Sequence, residues 1–364
     1  MTASGFRMPA EWEPHEATWL AWPHRLSDWP GKFAAIPWVY AEIVRRLTPG
    51  ELVRLIVTSA RHQAQARRVL VRAGADLSRV EFFRFPLDRG WTRDFGPIFV
   101  RKERAAFRDG LAIARFRFNG WAKYRDFSRD DRVPERASRA LGVPLVPVRR
   151  NGAPVVLEGG SIDVNGRGTL ITTEECLLDP AVQVRNPGLG RADLEAVFRD
   201  VLGVSKTLWL TRGIAGDDTH GHVDDLCRFV GPRRVVLCRE TDPTDANYRA
   251  LEECRERLQD ARVEDGARLE IVPLPMPGPL FFDGRRLPAS YANFYVANAA
   301  VLVPTFNDPA DRQALGILAD LFPERPVVGI HAVDLVWGLG TLHCLSQQQP
   351  ARAAGLHREA LARH

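Results

Sequence analysis

Near its C-terminal end the chain reads Gly338-Leu-Gly-Thr-Leu-His-Cys-Leu-Ser-Gln-Gln-Gln-Pro350. The two glycines allow tight turns, and the short apolar segment after them is suited to a strand. No room is left after Gln349 for the second arm of a hairpin, so the strand needs a partner from elsewhere. The alternating segment from Thr18 to Trp22 is the candidate. This pairing would close the chain into a ring.

The rest of the chain repeats one order of elements, which is helix, strand and hairpin. Apolar spacing predicts five helices that each precede a strand: 33–47 before 52–58, 131–141 before 143–148, 191–202 before 206–210, 243–259 before 269–274, and 309–321 before 327–330. Asp242-Pro243 and Asp308-Pro309 are the expected starts of the last two helices. Five similar units predict an α/β fold closed into a ring, because a ring of small sheets leaves few exposed edges. We expect one domain over 1–364.

The composition is typical of a globular protein, with 45% hydrophobic and 26% charged residues. No apolar run approaches the roughly eighteen residues that a transmembrane helix needs, and the first residues lack the features of a secretory signal. We therefore expect a cytoplasmic protein without a membrane segment. The five cysteines show no Cys-x-x-Cys spacing, which predicts reduced thiols. They are residues 176, 227, 238, 254 and 344.

The formal net charge of +5 raises the question of a nucleic-acid partner. The positive residues, however, are spread over the whole chain, and the densest cluster, Arg67 to Arg72, has the pattern of a solvated helix face. No module typical of DNA or RNA binding is present. We therefore expect neither a nucleic-acid nor a membrane partner, and the sequence leaves formation of a homo-oligomer open.

Polar residues stand at or just before the start of successive hairpins. They are Asp94, Glu158, His222 with Asp224, Asn293 and Cys344. Each one alone is more commonly a turn former or an edge residue. Because repeated units present equivalent ends to the same side of a ring, the set predicts one site at one end of a central channel, where loops commonly carry function.

Cys344 considered alone is best interpreted as a structural cysteine, since free cysteine is among the most buried residue types. The other hairpin residues favour a nucleophile instead. One thiol, one histidine and three carboxylates suit a planar cation, because carboxylates bind a guanidinium through paired, charge-assisted hydrogen bonds. Asp94, Glu158 and Asp224 are carboxylates of the right type and number. The expected partner is a small-molecule guanidine substrate.

A mechanism follows as a hypothesis. Cys344 attacks the guanidinium carbon, and His222 gives a proton to the departing ammonia and later takes one from the water that hydrolyses the amidino-thioether intermediate. Nearby carboxylates would raise the pKa of the thiol, so the substrate cation or protonated His222 has to offset them. No metal or other cofactor is required. The alternative is a zinc site formed by His220, His222, Asp224 and Cys344.

These residues lie in segments that resemble the agmatine deiminase family, relatives of the bacterial peptidylarginine deiminases in the guanidine-modifying superfamily. The segments extend over almost the whole chain: Met8-Pro-Ala-Glu-Trp-Glu-Pro-His15, Trp91-Thr-Arg-Asp-Phe-Gly-Pro97, Leu157-Glu-Gly-Gly-Ser161, Gly216-Asp-Asp-Thr-His-Gly-His-Val-Asp224, Tyr291-Ala-Asn-Phe-Tyr295, Asn307-Asp-Pro309 and His343-Cys-Leu-Ser-Gln-Gln-Gln-Pro350. The resemblance implies a five-bladed α/β propeller, also called a pentein. It further implies hydrolysis of agmatine to N-carbamoylputrescine and ammonia.

The resemblance also implies roles for single residues. It makes Cys344 the nucleophile and His222 the general acid and base, and it assigns guanidinium binding to Asp94, Asp224 and Glu158. Trp91 would form an aromatic wall of the substrate site. Asp218, rather than the neighbouring Asp217, would face the distal amine of agmatine. We also expect Asn293 to bind substrate.

The chain departs from the family pattern beside two of these residues. Leu339 interrupts the usual glycine-rich run before Cys344, and His220 precedes Gly221. Peptidylarginine, free arginine or another guanidine therefore stays open as the substrate, as does amidino transfer to an amine. A non-catalytic guanidine-binding protein would need neither Cys344 nor His222. A papain-like hydrolase would carry its cysteine ahead of its histidine and before a long helix.

Overall fold

The computed structural model describes residues 5–102 and 110–351. Five sheets of three or four strands dominate this part of the chain. In spatial order their strands are Phe6–Arg7, Ile98–Lys102, Leu111–Arg115 and Leu145–Pro147; Asp163–Val164, Thr169–Thr173 and Lys206–Leu210; Cys227–Gly231, Arg234–Arg239 and Glu270–Pro275; Tyr295–Val296, Val301–Thr305 and Val327–His331; and Ser346–Pro350, His15–Ala21, Leu52–Val57 and Val80–Arg84. Two small ribbons pair Arg149–Arg150 with Ala153–Pro154, and Phe281–Phe282 with Arg285–Arg286.

All five sheets share one construction. An antiparallel strand pair comes first. A helix follows, and the strand after that helix lies parallel to the second strand of the pair. In four sheets this pair consists of consecutive strands, whereas in the fifth the two strands come from opposite ends of the described chain. The repeat predicted from the sequence began instead with the helix. The predicted α/β fold class is confirmed.

The fifth sheet, which we call the terminal sheet, joins the two ends of the described chain. Ser346–Pro350 pairs antiparallel with His15–Ala21, so that Gln348 lies opposite Thr18. This is the pairing that the sequence predicts. Trp19 Nε1 donates a hydrogen bond to Gln349 Oε1 at 3.0 Å, which gives the buried glutamine a partner. Cys344 lies just before this strand, so the closing pair of the sheet also fixes the position of the thiol.

The α-helices lie between strands along the chain, several of them between strands of one sheet. In the described residues they are Ile36–Leu47, Ala60–Arg72, Thr92–Phe95, Val133–Leu141, Glu174–Leu178, Arg191–Val197, Tyr248–Leu258, Ala310–Leu321 and Leu342–Leu345. The predicted cap at Asp242 is wrong, because the helix begins five residues after Pro243, at Tyr248. Asp242 instead accepts a hydrogen bond from the backbone of Thr244 at 2.8 Å, a local turn that aspartate commonly makes. The helix predicted from Pro309 begins one residue later.

The apolar faces of these elements pack into two clusters of buried side chains. The larger one includes Trp19, Val235 and Leu302, which come from three different sheets. The smaller one includes Val100 and Leu170 from the first two sheets. Within residues 5–102 and 110–351, no helix combines the length and the apolar character that crossing a membrane requires.

Candidate active site

The polar hairpin residues meet beside one cavity of about 160 Å³. Cys344, Asp94 and Trp91 line it and are buried, which defines an inner end. Asp218 lines it too, and its side chain keeps 23% of its surface exposed, which defines an outer end. The sequence therefore predicted correctly that these separate segments converge on one place.

Asn293 holds the short helix Leu342–Leu345 that carries the thiol. Its side-chain amide donates hydrogen bonds to Cys344 Sγ at 3.1 Å and to Asp225 Oδ1 at 2.9 Å. Its carbonyl oxygen accepts from Thr341 Oγ1 at 2.7 Å. The amide nitrogen thus donates one hydrogen bond to the cysteine and one to a neighbouring carboxylate. The prediction that Asn293 also binds substrate stays a prediction.

The surroundings of Cys344 favour the protonated thiol. Burial raises the pKa of Cys344 well above its ordinary value, and the charges of Asp224, Asp225 and Asp94 raise it further, while the hydrogen bond from Asn293 opposes them. A cation bound among the carboxylates would offset their charge and lower the pKa of the thiol. This electrostatic arrangement is the one that activation by the substrate requires.

His222 is fully buried between the carboxylates. Its Nδ1 lies 3.7 Å from Asp94 Oδ1 and 4.0 Å from Asp224 Oδ1, and its Nε2 lies 3.8 Å from Glu158 Oε2. Burial lowers the pKa of His222, but the charge of Asp94, together with Cys176 and Glu158, raises the pKa well above its ordinary value. The ring is therefore protonated at neutral pH and suited to give a proton to a leaving group.

Gly160 makes the contact between His222 and Asp94 possible. A Cβ atom at this position would lie 2.5 Å from His222 Nδ1 and 2.9 Å from Asp94 Oδ1. The backbone amide of Gly160 also donates to Asp94 Oδ1 at 3.2 Å. The second glycine of the Leu157-Glu-Gly-Gly160 segment is thus explained by the lack of space for a side chain.

Asp94 and Asp224 differ in pKa although both are buried. Burial raises the pKa of Asp94 to about 6 despite the opposing charge of His222, and Asp224 and Glu158 add to the rise. Burial acts on Asp224 in the same direction, but the hydrogen bond and charge of His343 hold the pKa of Asp224 below its ordinary value. His343 Nδ1 lies 2.6 Å from Asp224 Oδ2. One carboxylate is therefore firmly ionised, and the other titrates near neutral pH.

Glu158 is held by a buried arginine that the sequence analysis did not single out. Arg185 Nε donates to Glu158 Oε1 at 3.2 Å. Burial would raise the pKa of Glu158, but Arg185 and His222 lower it to about 2. Glu158 Oε2 has no hydrogen-bond partner among the described residues. One oxygen of an ionised carboxylate thus stays available beside His222.

Sequence reasoning missed a second thiol in the site. The sulfur of Cys176 and ligand atoms of Glu158 and His222 all lie within 4.8 Å of one another. The site therefore contains two cysteines, and the prediction of a single thiol is wrong. No spacing rule pointed to Cys176, because it follows the strand Thr169–Thr173 while His222 precedes a different sheet.

A buried network of charges behind the thiol was also missed. Glu11 Oε2 lies 2.8 Å from His343 Nε2 and accepts from Arg93 at 3.1 Å, and Glu11 Oε1 accepts from Arg228 at 2.9 Å. His343 therefore stands between Glu11 and Asp224. The only signal in the sequence was the Met8 to His15 segment, which contains Glu11.

The structure gives mixed results for the remaining predicted contacts. Trp91 lines the cavity and packs on Trp29, with ring centroids 5.4 Å apart. Asp218 also lines the cavity, but Lys123 already forms an ion pair with it. His220 does not join a zinc set with His222, because its ring contacts Asp179 at 3.2 Å and Glu175 at 3.6 Å.

This chain resembles known proteins in both sequence and structure. The family described as Porphyromonas-type peptidyl-arginine deiminase matches residues 7–350. An agmatine deiminase from Stutzerimonas stutzeri is 37% identical over 370 residues, which cover 95% of this chain and 96% of that protein. A solved agmatine deiminase of Enterococcus faecalis is 30% identical with a TM-score of 0.85, covering 96% and 97% of the two chains. A C. jejuni agmatine deiminase solved with substrate bound is 29% identical with a TM-score of 0.81, covering 94% and 96%.

Fold and site together define an α/β protein whose buried thiol, imidazole and carboxylates are suited to a guanidinium. The chain belongs to the Porphyromonas-type peptidyl-arginine deiminase family, and the resemblance to agmatine deiminases that its sequence shows is confirmed.

Proposed function

We propose that this protein is an agmatine deiminase, which hydrolyses the guanidinium of agmatine to N-carbamoylputrescine and ammonia. The observation that carries the proposal is the group of Cys344, His222, Asp94, Asp224 and Glu158 at the inner end of one cavity. A bound guanidinium would find acceptors there for its hydrogen-bond donors and a sulfur to attack its carbon. The names of the relatives at 36–37% identity support agmatine as the guanidine.

In the first half of the reaction, Asp94 and Asp224 hold the guanidinium and its charge lowers the pKa of Cys344. The thiol releases its proton to solvent, the resulting thiolate forms a bond to the guanidinium carbon, and His222 protonates one nitrogen. The bond from carbon to that nitrogen then breaks, ammonia leaves, and a cationic amidino group remains on the sulfur.

In the second half, neutral His222 takes a proton from a water molecule. The oxygen bonds to the amidino carbon, the carbon–sulfur bond breaks, and the thiolate of Cys344 leaves while the oxygen gives up its second proton, which restores the thiol. The product is a ureido compound. Cys344 and His222 thus each act in both halves, and Asp94 and Glu158 lie 3.7 and 3.8 Å from the two ring nitrogens of His222.

The proposal includes the arrangement of the whole chain. Five sheets of one construction, with the terminal sheet joining both ends, support a closed five-bladed α/β propeller formed by a single domain. The proposed partner is the small guanidine alone, since the hydrolysis requires no metal and no cofactor.

The decisive experiment offers several guanidines to the purified protein and measures the ureido product and ammonia. The panel contains agmatine, free arginine, a blocked arginine peptide and a creatine-like guanidine. We expect agmatine to have the highest kcat/KM. A preference for the arginine peptide would favour the peptidylarginine alternative, which the name of the matching family supports. Loss of activity after exhaustive chelation would favour the zinc alternative.

The pH dependence should report the titration of Asp94. Because burial raises its pKa to about 6, kcat/KM for agmatine should fall by up to about tenfold per pH unit below that value. The bound guanidinium favours the ionised carboxylate, so kcat should hold its value to lower pH. Rates from pH 5 to pH 8 test this. A kcat/KM that stays level through pH 6 would contradict the role of Asp94.

A further inference from the structure

Asp218, at the outer end of the cavity, already holds a cation from its own chain. Lys123 Nζ pairs with Asp218 Oδ1, and the hydroxyl of Tyr124 donates to Asp218 Oδ2 at 2.6 Å. Both oxygens of the carboxylate therefore have partners. If Asp218 is the residue that faces the distal amine of agmatine, the ammonium of Lys123 stands where that amine has to bind.

Lys123 belongs to residues 119–124, which we call the tail loop. Gly120, Trp121 and Ala122 have φ angles of 67°, 58° and 52°, in the left-handed region that disfavours residues with a Cβ. Such strain persists where the surrounding structure enforces it, and it commonly marks functional segments. Trp121 Nε1 donates to Asp94 Oδ2 at 2.8 Å. The same loop thus contacts the guanidinium end and the tail end of the cavity.

The tail loop is tied to the segment that carries Asp218. Gln183 Nε2 donates to the backbone oxygens of Trp121 at 3.0 Å and of Asp218 at 3.2 Å. The guanidinium of Arg89 lies 4.1 Å from the ring centroid of Tyr124. These contacts hold the backbone of the tail loop beside the segment that carries Asp218.

We propose that Lys123 determines how the site treats the tail of its substrate, by occupying the carboxylate that a cationic tail would use. The inference rests on the proposed function, because it concerns the tail of a guanidine bound at Cys344. An entering amine exchanges one ammonium for another at Asp218, whereas an uncharged tail leaves the ion pair intact. The parent protein should therefore discriminate weakly between cationic and uncharged tails.

Charge and exposure around the pair support this assignment. The side chain of Lys123 is 41% exposed and that of Asp218 is 23% exposed, so solvent screens the pair and a substrate can displace the lysine. Arg285 lines the same cavity and presents a further positive charge to an entering amine. The outer end of the cavity thus gives a cationic tail little net attraction.

The test compares agmatine with pentylguanidine, in which a methyl group replaces the terminal ammonium. Dissociation constants are measured calorimetrically in the Cys344→Ala background, and turnover is measured in the active protein. In the parent we expect the two constants to agree within about threefold. Lys123→Met should raise the preference for agmatine by about tenfold by freeing Asp218 for the amine. The same substitution should change the dissociation constant of pentylguanidine by less than about twofold.

Three further variants separate charge from loop structure. Lys123→Met combined with Asp218→Asn should lose the increased preference for agmatine. Lys123→Arg should keep the parent's ratio of the two dissociation constants, because arginine retains the positive charge. Lys206→Met, an exposed lysine on the strand Lys206–Leu210, is the matched control and should also keep that ratio. An unchanged ratio in Lys123→Met would overturn the inference. A shifted ratio without any turnover would support the inference and refute deimination instead, while absence of binding in every variant would refute both.

Discussion

Replacing Cys344 by alanine is expected to lower the rate of ammonia release by at least about a thousandfold, because removal of a nucleophile usually costs more than that. The fold and guanidine binding should persist, since the thiol sits in a short helix that Asn293 and Thr341 hold through other atoms. Ammonia release at saturating agmatine measures the loss. The dissociation constant of agmatine for the variant, measured calorimetrically, shows whether guanidine binding persists.

The intermediate itself can be located by mass spectrometry. Denaturing analysis of the parent, quenched during turnover, should show an amidino adduct on the peptide that contains Cys344. An adduct on Cys176 would contradict the assignment and make the second thiol of the site the nucleophile. Cys254→Ala is the matched control, because this buried thiol lies in the helix Tyr248–Leu258 and should leave turnover within about twofold of the parent. Turnover by Cys344→Ala within about tenfold of the parent would refute the covalent mechanism.

Much of the fold could be predicted because its signals are local. Apolar periodicity and turn residues mark helices and strands one at a time, and repetition shows that the units are alike. The pairing of Ser346–Pro350 with His15–Ala21 followed by elimination, since one strand lacked a partner near it in the chain. The convergence of Asp94, His222 and Cys344 followed in turn from their equivalent places in the repeat.

The partners of the site residues could not be predicted in the same way. Trp121 on Asp94 and Lys123 on Asp218 join segments 27 and 95 residues apart. No local pattern encodes such contacts, because they depend on how finished units pack against one another. Asp218 is an example. Its sequence neighbours indicate no partner for the carboxylate, whereas in the fold Lys123 forms an ion pair with it.

The two departures from the family pattern have a common geometry. Leu339 and His220 have φ angles of 70° and 64°, in the region that glycine adopts most readily. Residue 339, in the turn before Cys344, therefore keeps the left-handed backbone conformation although it is a leucine and not a glycine. The sequence shows the substitution but not the backbone conformation that the leucine has to accept.

Glu11→Gln should lower the free energy of unfolding by about 3–5 kcal/mol, because it removes the charge that pairs with buried cations. Glu11 contacts both Arg93 and Arg228 and is only 5% exposed. Glutamine has nearly the same shape, so the loss reports charge rather than packing. Denaturant unfolding of the parent and the variant at neutral pH measures the difference.

Glu42→Gln is the matched control for this prediction. Glu42 also contacts two arginines, Arg45 and Arg46, but its side chain is 33% exposed, so the same substitution should cost no more than about 1 kcal/mol.

Burial raises the pKa of Glu11, but Arg228, His343 and Arg93 overcome it and hold that pKa well below the ordinary value of 4.5. A lowered folded-state pKa stabilises the protein above the unfolded value, and this stabilisation is lost as the pH falls through the folded pKa. The difference between parent and Glu11→Gln should therefore be full near pH 7 and shrink below about pH 4.5, whereas a difference that is constant with pH would assign Glu11 a role in shape alone.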